Sequence, residues 1–481
     1  MKKTFYVTTS IAYTNALPHL GFALEIIQAD VIARHHRLLG EDVFFLTGTD
    51  EHGIKIEKTA EKTGKTPKIF CDEISNKYQK LKSLLNLSND DFIRTTDKKR
   101  HWPAVKKVWA QLKKNKDIYK KKYKGFYCSG CESFISKKEL KNGKCLIHNL
   151  KAEEVQEENY FFRLSKYSKK IKKALQENKI EIIPENRKKE MLNFIKQGLN
   201  DISFSRPKKT LKWGIPVPND KDQVIYCWAD ALINYISAIG YSKKTSKFKK
   251  YWPADVQCIG KDIQKFHSLL WPGILLSLKI PFPKKIFIHG FITVDKKKMS
   301  KSIGNTISPF DLVEKYGIDP LRYYLLREIS STEDGDFSYS KFEDRYNADL
   351  ANGLGNLVSR IITMAEGQKF KTGKKEIDSS IVWRKYKKAL EKFKFNEALS
   401  SVWELIGECD CYIEKKRPWE KQKNQNVAIY SLLSSLSEIA LMLNPFLPDT
   451  SKKIFVQLGE ISKGEKQEFN PKKGQPLFPR I

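Results

Sequence analysis

Thr4-Phe5-Tyr6-Val7-Thr8-Thr9 is the stretch that decides the fold: a short apolar, β-branched run that reads as a buried strand. Ser10 to Pro18 follows as a loop, and Leu20, Leu24, Ile27 and Val31 then fall on one face of a helix. Asp42-Val43-Phe44-Phe45-Leu46-Thr47 is the next strand. Strand, loop, helix and strand in this order open a parallel α/β sheet. Ligands of such sheets sit at the carboxyl ends of strands, here the loop from Ile11 to Gly21 and the segment Gly48-Thr49-Asp50-Glu51-His52-Gly53. Pro18-His19-Leu20-Gly21 lies at the helix start, where free backbone N–H groups and the helix dipole favour an anion. His19 can donate to a phosphate, and Gly21 lets a nucleotide approach the backbone.

At 481 residues the chain exceeds one ordinary core, and about two to four domains are expected. An apolar fraction of 40% with 12% aromatics is that of a folded protein and excludes a disordered tail. The net charge of +32 is spread along the chain and attracts polyanions, so RNA, DNA or an anionic membrane surface are the partners to consider. Met1-Lys2-Lys3 leads straight into the first strand without a signal peptide, and no uninterrupted apolar run approaches a bilayer's thickness. A soluble cytoplasmic protein with no membrane partner is expected.

Cys128-Ser129-Gly130-Cys131 and Cys145-Leu146-Ile147-His148 place two ligands on each of two tight turns, a spacing that suits tetrahedral zinc. Four protein ligands with no open position make the expected zinc site structural, one per chain. Cys71, Cys227, Cys258, Cys409 and Cys411 lack such pairing and read as packing residues. Further on, Val256-Gln257-Cys258-Ile259-Gly260 reads as a strand ending in glycine, and Asp262 follows it where a carboxylate accepts from ribose hydroxyls. Ile263, His267 and Trp271 recur at helical spacing, an arrangement that by itself is usually core. Ile286 to Val294 reads as one strand delivering Lys296-Lys297-Lys298-Met299-Ser300-Lys301-Ser302, whose ammonium and hydroxyl groups make a clamp for a polyanion such as a triphosphate.

Taken together, the Pro-His-Leu-Gly start, the Asp-Glu-His-Gly loop and the distal Lys-Met-Ser-Lys-Ser segment resemble the class I aminoacyl-tRNA synthetases. The chain departs from the family's first motif at its fourth position, Phe22, where a histidine is expected. The resemblance implies a Rossmann-like parallel-sheet catalytic domain split by a zinc-binding connective insertion, followed by an α-helical anticodon-binding domain. Its segments would be 1–114, 115–225, 226–345 and 346–481. It also implies an ATP site with magnesium, served by Pro18, His19, Gly21, Gly260, Asp262, Lys298, Ser300 and Lys301. His19, Lys298 and Lys301 would act on the phosphates. Arg206 would help order that site, with a surface ion pair as the alternative reading.

Within the family the resemblance is to the methionine-specific members. It implies a methionine pocket of Ile11, Tyr13, Asp50, Trp228, Ala231, Tyr235, Ile263, His267 and Trp271, in which Asp50 holds the α-ammonium group. A thioether there would meet aromatic faces and a weak hydrogen bond from tyrosine or histidine. Leu232 replaces a proline often found at its position. From Phe342 onward the periodicity is helical, and the resemblance makes Asn356, Arg360 and Trp419, the last at a helix start, readers of a CAU anticodon on tRNA for methionine. The chain ends near Ile481 without an appended module through which some relatives dimerise, so a monomer is expected. Two rivals stand beside this reading. A synthetase for leucine, isoleucine or valine would carry a larger editing insertion, and a catalytically dead RNA-binding relative is suggested by Phe22.

Overall fold

The computed structural model describes residues 2–128, 133–135, 140–146, 149–299, 305–371, 373–420, 424–463 and 466–481. Its backbone is organised about a sheet of β1 (Thr4–Thr9), β2 (Ala12–Tyr13), β3 (Asp42–Asp50), β4 (Asp91–Arg94), β5 (Glu181–Ile183), β6 (Val256–Gly260) and β7 (Lys285–His289). The order is β5-β7-β6-β1-β3, with β2 and β4 both on β3, and every pairing is parallel. β1 pairs with β3 on one side and β6 on the other, so the chain leaves β1 in opposite directions. That reversal is a topological switch point, and it opens a crevice at the carboxyl ends of β1 and β6. Near-continuous apolar strands are what a sheet covered on both faces requires. β6 is buried throughout, and Tyr6, Phe44, Leu46, Ile259 and Ile288 share one core with Trp109, Phe162 and Trp271.

Two compact units result, neither of them one continuous stretch. The first comprises Met1–Pro18, His36–Lys82 and Ser88–His289, and the second His19–His35, Ser83–Leu87 and Gly290–Ile481. In the first unit, Ile118–Cys128 and Glu153–Phe162 form an antiparallel sheet with Ile202–Ser203 and Ser133–Ile135. The stretch 115–225 is therefore largely outside the parallel sheet, but not entirely, because Glu181–Ile183 within it returns as the edge strand β5.

The strand expected over Ile286 to Val294 is broken in two. β7 ends at His289, and Ile292–Val294 instead joins a separate sheet with Lys297–Lys298 and Gly335–Phe337. Gly290 is the reason. A Cβ there would lie 2.2 Å from the Glu333 backbone, and the next residue, Phe291, donates its N–H to Asp334 Oδ1 at 2.8 Å. Only glycine permits that approach, and the approach diverts the chain.

The second unit is mainly helical, with Phe395–Lys416, Gln425–Leu443 and Pro448–Leu458 among its longer helices. Gln425–Leu443 is long and apolar enough to cross a bilayer by length and composition, with a mean hydropathy of 1.5, but serines and Glu438 interrupt its apolar run and 78% of its most apolar stretch is buried in the unit's core. Arg322 is the polar anchor of this unit. Fully buried, it donates to the carbonyls of Leu85, Pro445 and Phe446 and to Asp30 Oδ2, at 2.7–3.0 Å. Arg34 donates to the same Asp30 oxygen at 2.8 Å. Arg322→Met leaves those carbonyls without their donor and Asp30 with half its countercharge, so a loss of about 3–5 kcal/mol is expected in urea unfolding followed by helical circular dichroism.

Candidate active site

In the first unit, the carboxyl ends of the strands gather the residues expected to form a pocket. Tyr13 and Asp50 are direct partners across β2 and β3. Trp228 and Ala231 lie on the helix Trp228–Ala231, and Tyr235 on the next, Asn234–Ser237, whose position on the sheet is held by Tyr6 Oη donating to the Tyr235 carbonyl at 2.8 Å. After β6 the helix widens into a π turn at Phe266–Leu270. There His267 Nδ1 donates to the Ile263 carbonyl at 3.1 Å, and Tyr235 Oη lies 2.7 Å from His267 Nε2. A carbonyl only accepts, so in the neutral ring Nδ1 carries the proton and Nε2 accepts from Tyr235. The tyrosine proton is thus engaged with the histidine, and what this wall presents is chiefly aromatic. Trp228 stacks on Phe266 at 3.8 Å and stands edge-on to His267 at 6.4 Å. Trp271 is wholly enclosed and backs Tyr235 at 6.1 Å.

Gly260 allows Asp262 to fold back against the end of β6. A Cβ on Gly260 would lie 2.8 Å from Asp262 Oδ1 and 3.7 Å from Nε2 of His289, its cross-strand partner.

Behind these walls runs a buried polar network. Asp230 Oδ2 accepts from His52 Nδ1 at 2.6 Å and Asp230 Oδ1 from His101 Nε2 at 2.7 Å, while His101 Nδ1 meets Ser237 Oγ at 2.8 Å. Burial by itself would raise the Asp230 carboxyl, but the charge of His52 and the hydrogen bonds of both imidazoles outweigh it and hold the group below the usual carboxylate value. Nearby, Glu51 accepts from Arg94 in bidentate fashion at 2.6 and 2.9 Å, and its backbone N–H donates to Thr95 Oγ1 at 2.8 Å.

In the second unit, His19 starts the helix Leu20–Leu38. The expectation of free N–H groups at this start is corrected by its hydrogen bonds. Leu20 N–H donates to the Ile307 carbonyl, Gly21 N–H to His19 Nδ1, and the N–H groups of Phe22 and Ala23 to the His19 carbonyl, at 3.0–3.1 Å. With Nδ1 accepting, Nε2 carries the imidazole proton, so the side chain takes over the role of donor to an anion. A Cβ on Gly21 would lie 3.0 Å from the His19 ring and 3.7 Å from Met299 Cε, which brings the helix start and the lysine segment together. That segment begins as a β-hairpin. Asp295 and Lys296, both at positive φ, connect Val294 to Lys297, and the Lys296 N–H donates to Asp336 Oδ1 at 2.7 Å. Ser300 and Lys301 lie outside the described residues, as does the side chain of Lys298.

Two sequence profiles match the chain: "tRNA synthetases class I (M)" over residues 5–139 and 131–362, and "Anticodon-binding domain of tRNA ligase" over residues 380–475. The methionine–tRNA ligase of Caldanaerobacter subterraneus subsp. tengcongensis is 43% identical, over 100% of this chain and 79% of its own length. That of Thermotoga maritima is 42% identical, over 99% and 80%. The structure of Mycobacterium tuberculosis methionyl-tRNA synthetase in complex with methionyl-adenylate superposes with a TM-score of 0.94 at 35% identity, covering 99% of this chain and 100% of that one. The chain belongs to the class I methionine–tRNA ligases.

As a member of that family, it has its remaining sequence-derived candidates distributed unevenly. Asn356 is exposed at the start of the helix Asn356–Ala365, and Arg360, one turn on, is paired with Asp410 and Glu414 at 3.3 and 2.6 Å. Trp419 is 49% exposed, but it sits in a turn after the helix Phe395–Lys416, not at a helix start. Arg206 does form an ion pair, with Glu157 at 3.7 Å, but a buried one and not a surface one. It is 2% exposed, and its guanidinium lies 4.5–5.1 Å from the rings of Tyr127, Phe134 and Tyr226. Among the described residues no His, Cys, Asp and Glu group could hold a metal, and two of the four expected zinc ligands, Cys131 and His148, lie outside them.

Sequence reading passed over His101, Asp230 and His289 and gave His52 no task. The partners of Asp230 are 178 and 129 residues away, and no local spacing signals such a contact. Because the Asp230 carboxyl is held low, its contribution to stability is complete above the unfolded value near about 4 and is lost as pH falls through the lower folded value. Asp230→Asn is therefore expected to lower stability at about pH 7, and the difference from the parent chain should begin to shrink only as pH falls below about 4, measured by urea unfolding across that range.

Proposed function

We propose that the chain activates methionine with ATP and transfers it to the 3′ end of tRNA carrying the CAU anticodon. What supports this reading is that one unit holds an acidic group, Asp50, at the carboxyl end of β3 and the mutually contacting rings of Trp228, Tyr235 and His267, to which the pocket is assigned. An ammonium group needs the first, and a polarizable thioether packs best against the second. Ile11, Tyr13, Ala231, Ile263 and Trp271 complete or back that pocket.

In the first step a methionine carboxylate oxygen attacks the α-phosphorus of ATP, the bond to the bridging oxygen breaks, and pyrophosphate leaves with its electron pair. The carboxylate is already a nucleophile, so no base is needed, and acceleration comes from positioning and charge stabilisation. His19 Nε2 is assigned to a phosphate oxygen, Lys298 and Lys301 to the departing pyrophosphate, Asp262 to the ribose, and Pro18, Gly21, Gly260 and Ser300 to the nucleotide's surroundings. Magnesium carried with the triphosphate would share its charge. In the second step a terminal ribose hydroxyl of tRNA attacks the adenylate carbonyl, and AMP leaves.

A structural zinc is assigned to Cys128, Cys131, Cys145 and His148. Cys128 and Cys145 are buried in one small cluster with Ile135, and Asn149 N–H donates to the Cys145 carbonyl at 2.8 Å. Two enclosed thiols with two more donors close in sequence suit a tetrahedral cation that ties the turns together.

Purified protein should catalyse exchange of pyrophosphate into ATP that depends on methionine. No methionine-dependent exchange, or strongest exchange with a branched aliphatic amino acid, overturns this reading. Trp419→Ala should reduce aminoacylation of methionine tRNA at least about 100-fold while leaving the exchange rate within about twofold, since an exposed stacking surface is lost without disturbing the fold.

A further inference from the structure

The pocket has two walls that come from distant parts of the chain. Asp50, at the end of β3, belongs to one; Trp228, Ala231 and Tyr235, on consecutive short helices, belong to the other. Asp230 sits between Trp228 and Ala231, is fully buried, and reaches across to His52, two residues beyond Asp50, at 2.6 Å. Its second oxygen is held at 2.7 Å by His101, which is in turn tied at 2.8 Å to Ser237, two residues beyond Tyr235. The carboxylate thus fastens the acidic wall to the aromatic wall through His52, while His101 ties Asp230 and Ser237, at the two ends of the helical segment, to the start of the helix His101–Lys114.

The fastening is rigid for a stated reason. An ionised carboxylate only accepts, so His52 Nδ1 and His101 Nε2 must both donate, and neither ring can turn over without leaving a buried acceptor unmet. On its other side the strand end bearing Asp50 is held as well: Thr95 Oγ1 accepts from Glu51 N–H at 2.8 Å and donates to Asp50 Oδ1 at 3.5 Å. The distance between Asp50 and the rings is consequently set by the fold.

We propose that Asp230, acting through His52 and His101, is a positioning residue that sets the span between the ammonium-binding and side-chain-binding walls, and so determines which amino-acid length is accepted. This rests on the methionine reading above. The substrate class follows from the chemistry. An α-amino acid must reach from a carboxylate to an aromatic wall, and a span held to within a methylene separates chains of neighbouring length by about 10- to 200-fold. With the fastening loosened, longer and shorter side chains should be taken with less penalty.

The test is amino-acid-dependent pyrophosphate exchange on the full chain, comparing methionine with homocysteine, one methyl shorter, and ethionine, one methylene longer. Asp230→Asn, which keeps the shape but accepts at one end only, should raise the KM for methionine about tenfold and leave the KM for ATP and kcat within about twofold. The ratio of kcat/KM for methionine over ethionine should fall about tenfold. His52→Asn, whose amide N–H can replace Nδ1, should retain most of the parent's ratio, and His52→Ala should not. If Asp230→Asn does not fold, Ser237→Ala removes only the outer link and should shift the same ratio in the same direction by about two- to threefold. An unchanged ratio in a folded Asp230→Asn or Ser237→Ala protein overturns the proposal, as does an equal loss in kcat and both KM values. Absence of methionine-dependent exchange in the parent chain would instead overturn the functional reading, so the two failures are distinct.

Discussion

Parallel pairing of Thr4–Thr9 with two partners, Asp42–Asp50 on one side and Val256–Gly260 on the other, is the constraint from which the rest of this molecule follows. Parallel neighbours cannot be joined by a tight turn, so every return to the sheet needs a crossover. One crossover is the helix Leu20–Leu38. The other return to β1 spans about two hundred residues, which hang the antiparallel sheets and the cysteine pairs on the chain before Val256 closes the pairing. Because the chain departs from β1 in opposite directions, the carboxyl ends of β1 and β6 diverge, and polar residues collect there without breaking the core.

A site built this way draws its walls from segments far apart in sequence, and the structure meets that difficulty with buried charge. Asp230 between His52 and His101, Glu51 against Arg94, and Arg322 among three carbonyls and Asp30 are each enclosed and multiply hydrogen-bonded. Burying such groups costs several kcal/mol apiece unless every partner is in place, so each network tolerates essentially one arrangement of the segments it joins. Apolar packing alone would allow small shifts. The polar ties do not, and they lie beside the pocket in the first unit and at the helical core in the second.

The departure at Phe22 falls where the helix start is already self-contained. Its backbone donors are used by Ile307 and by His19, so the anion-binding capacity of this helix end rests on one imidazole and on the lysine segment that reaches Gly21 through Met299. Phenylalanine at the following position removes a second ring nitrogen without disturbing these bonds.

The sequence by itself determined the class of fold, the strand-loop-helix-strand opening, and the two motifs that bring phosphate chemistry to mind, because these depend on periodicity and on short-range spacing. It placed Asp50, Trp228, Tyr235 and His267 in one pocket only by resemblance, since nothing local joins them. It misplaced the end of β7, the turn at Trp419 and the surroundings of Arg206. Two of those outcomes were decided by neighbours distant in the chain: the Glu333 backbone against Gly290, and three rings about one guanidinium. The His52–Asp230–His101 tie belongs wholly to tertiary structure, because a buried carboxylate takes its partners from whatever packing brings within hydrogen-bond reach, and chain spacing carries no record of that distance.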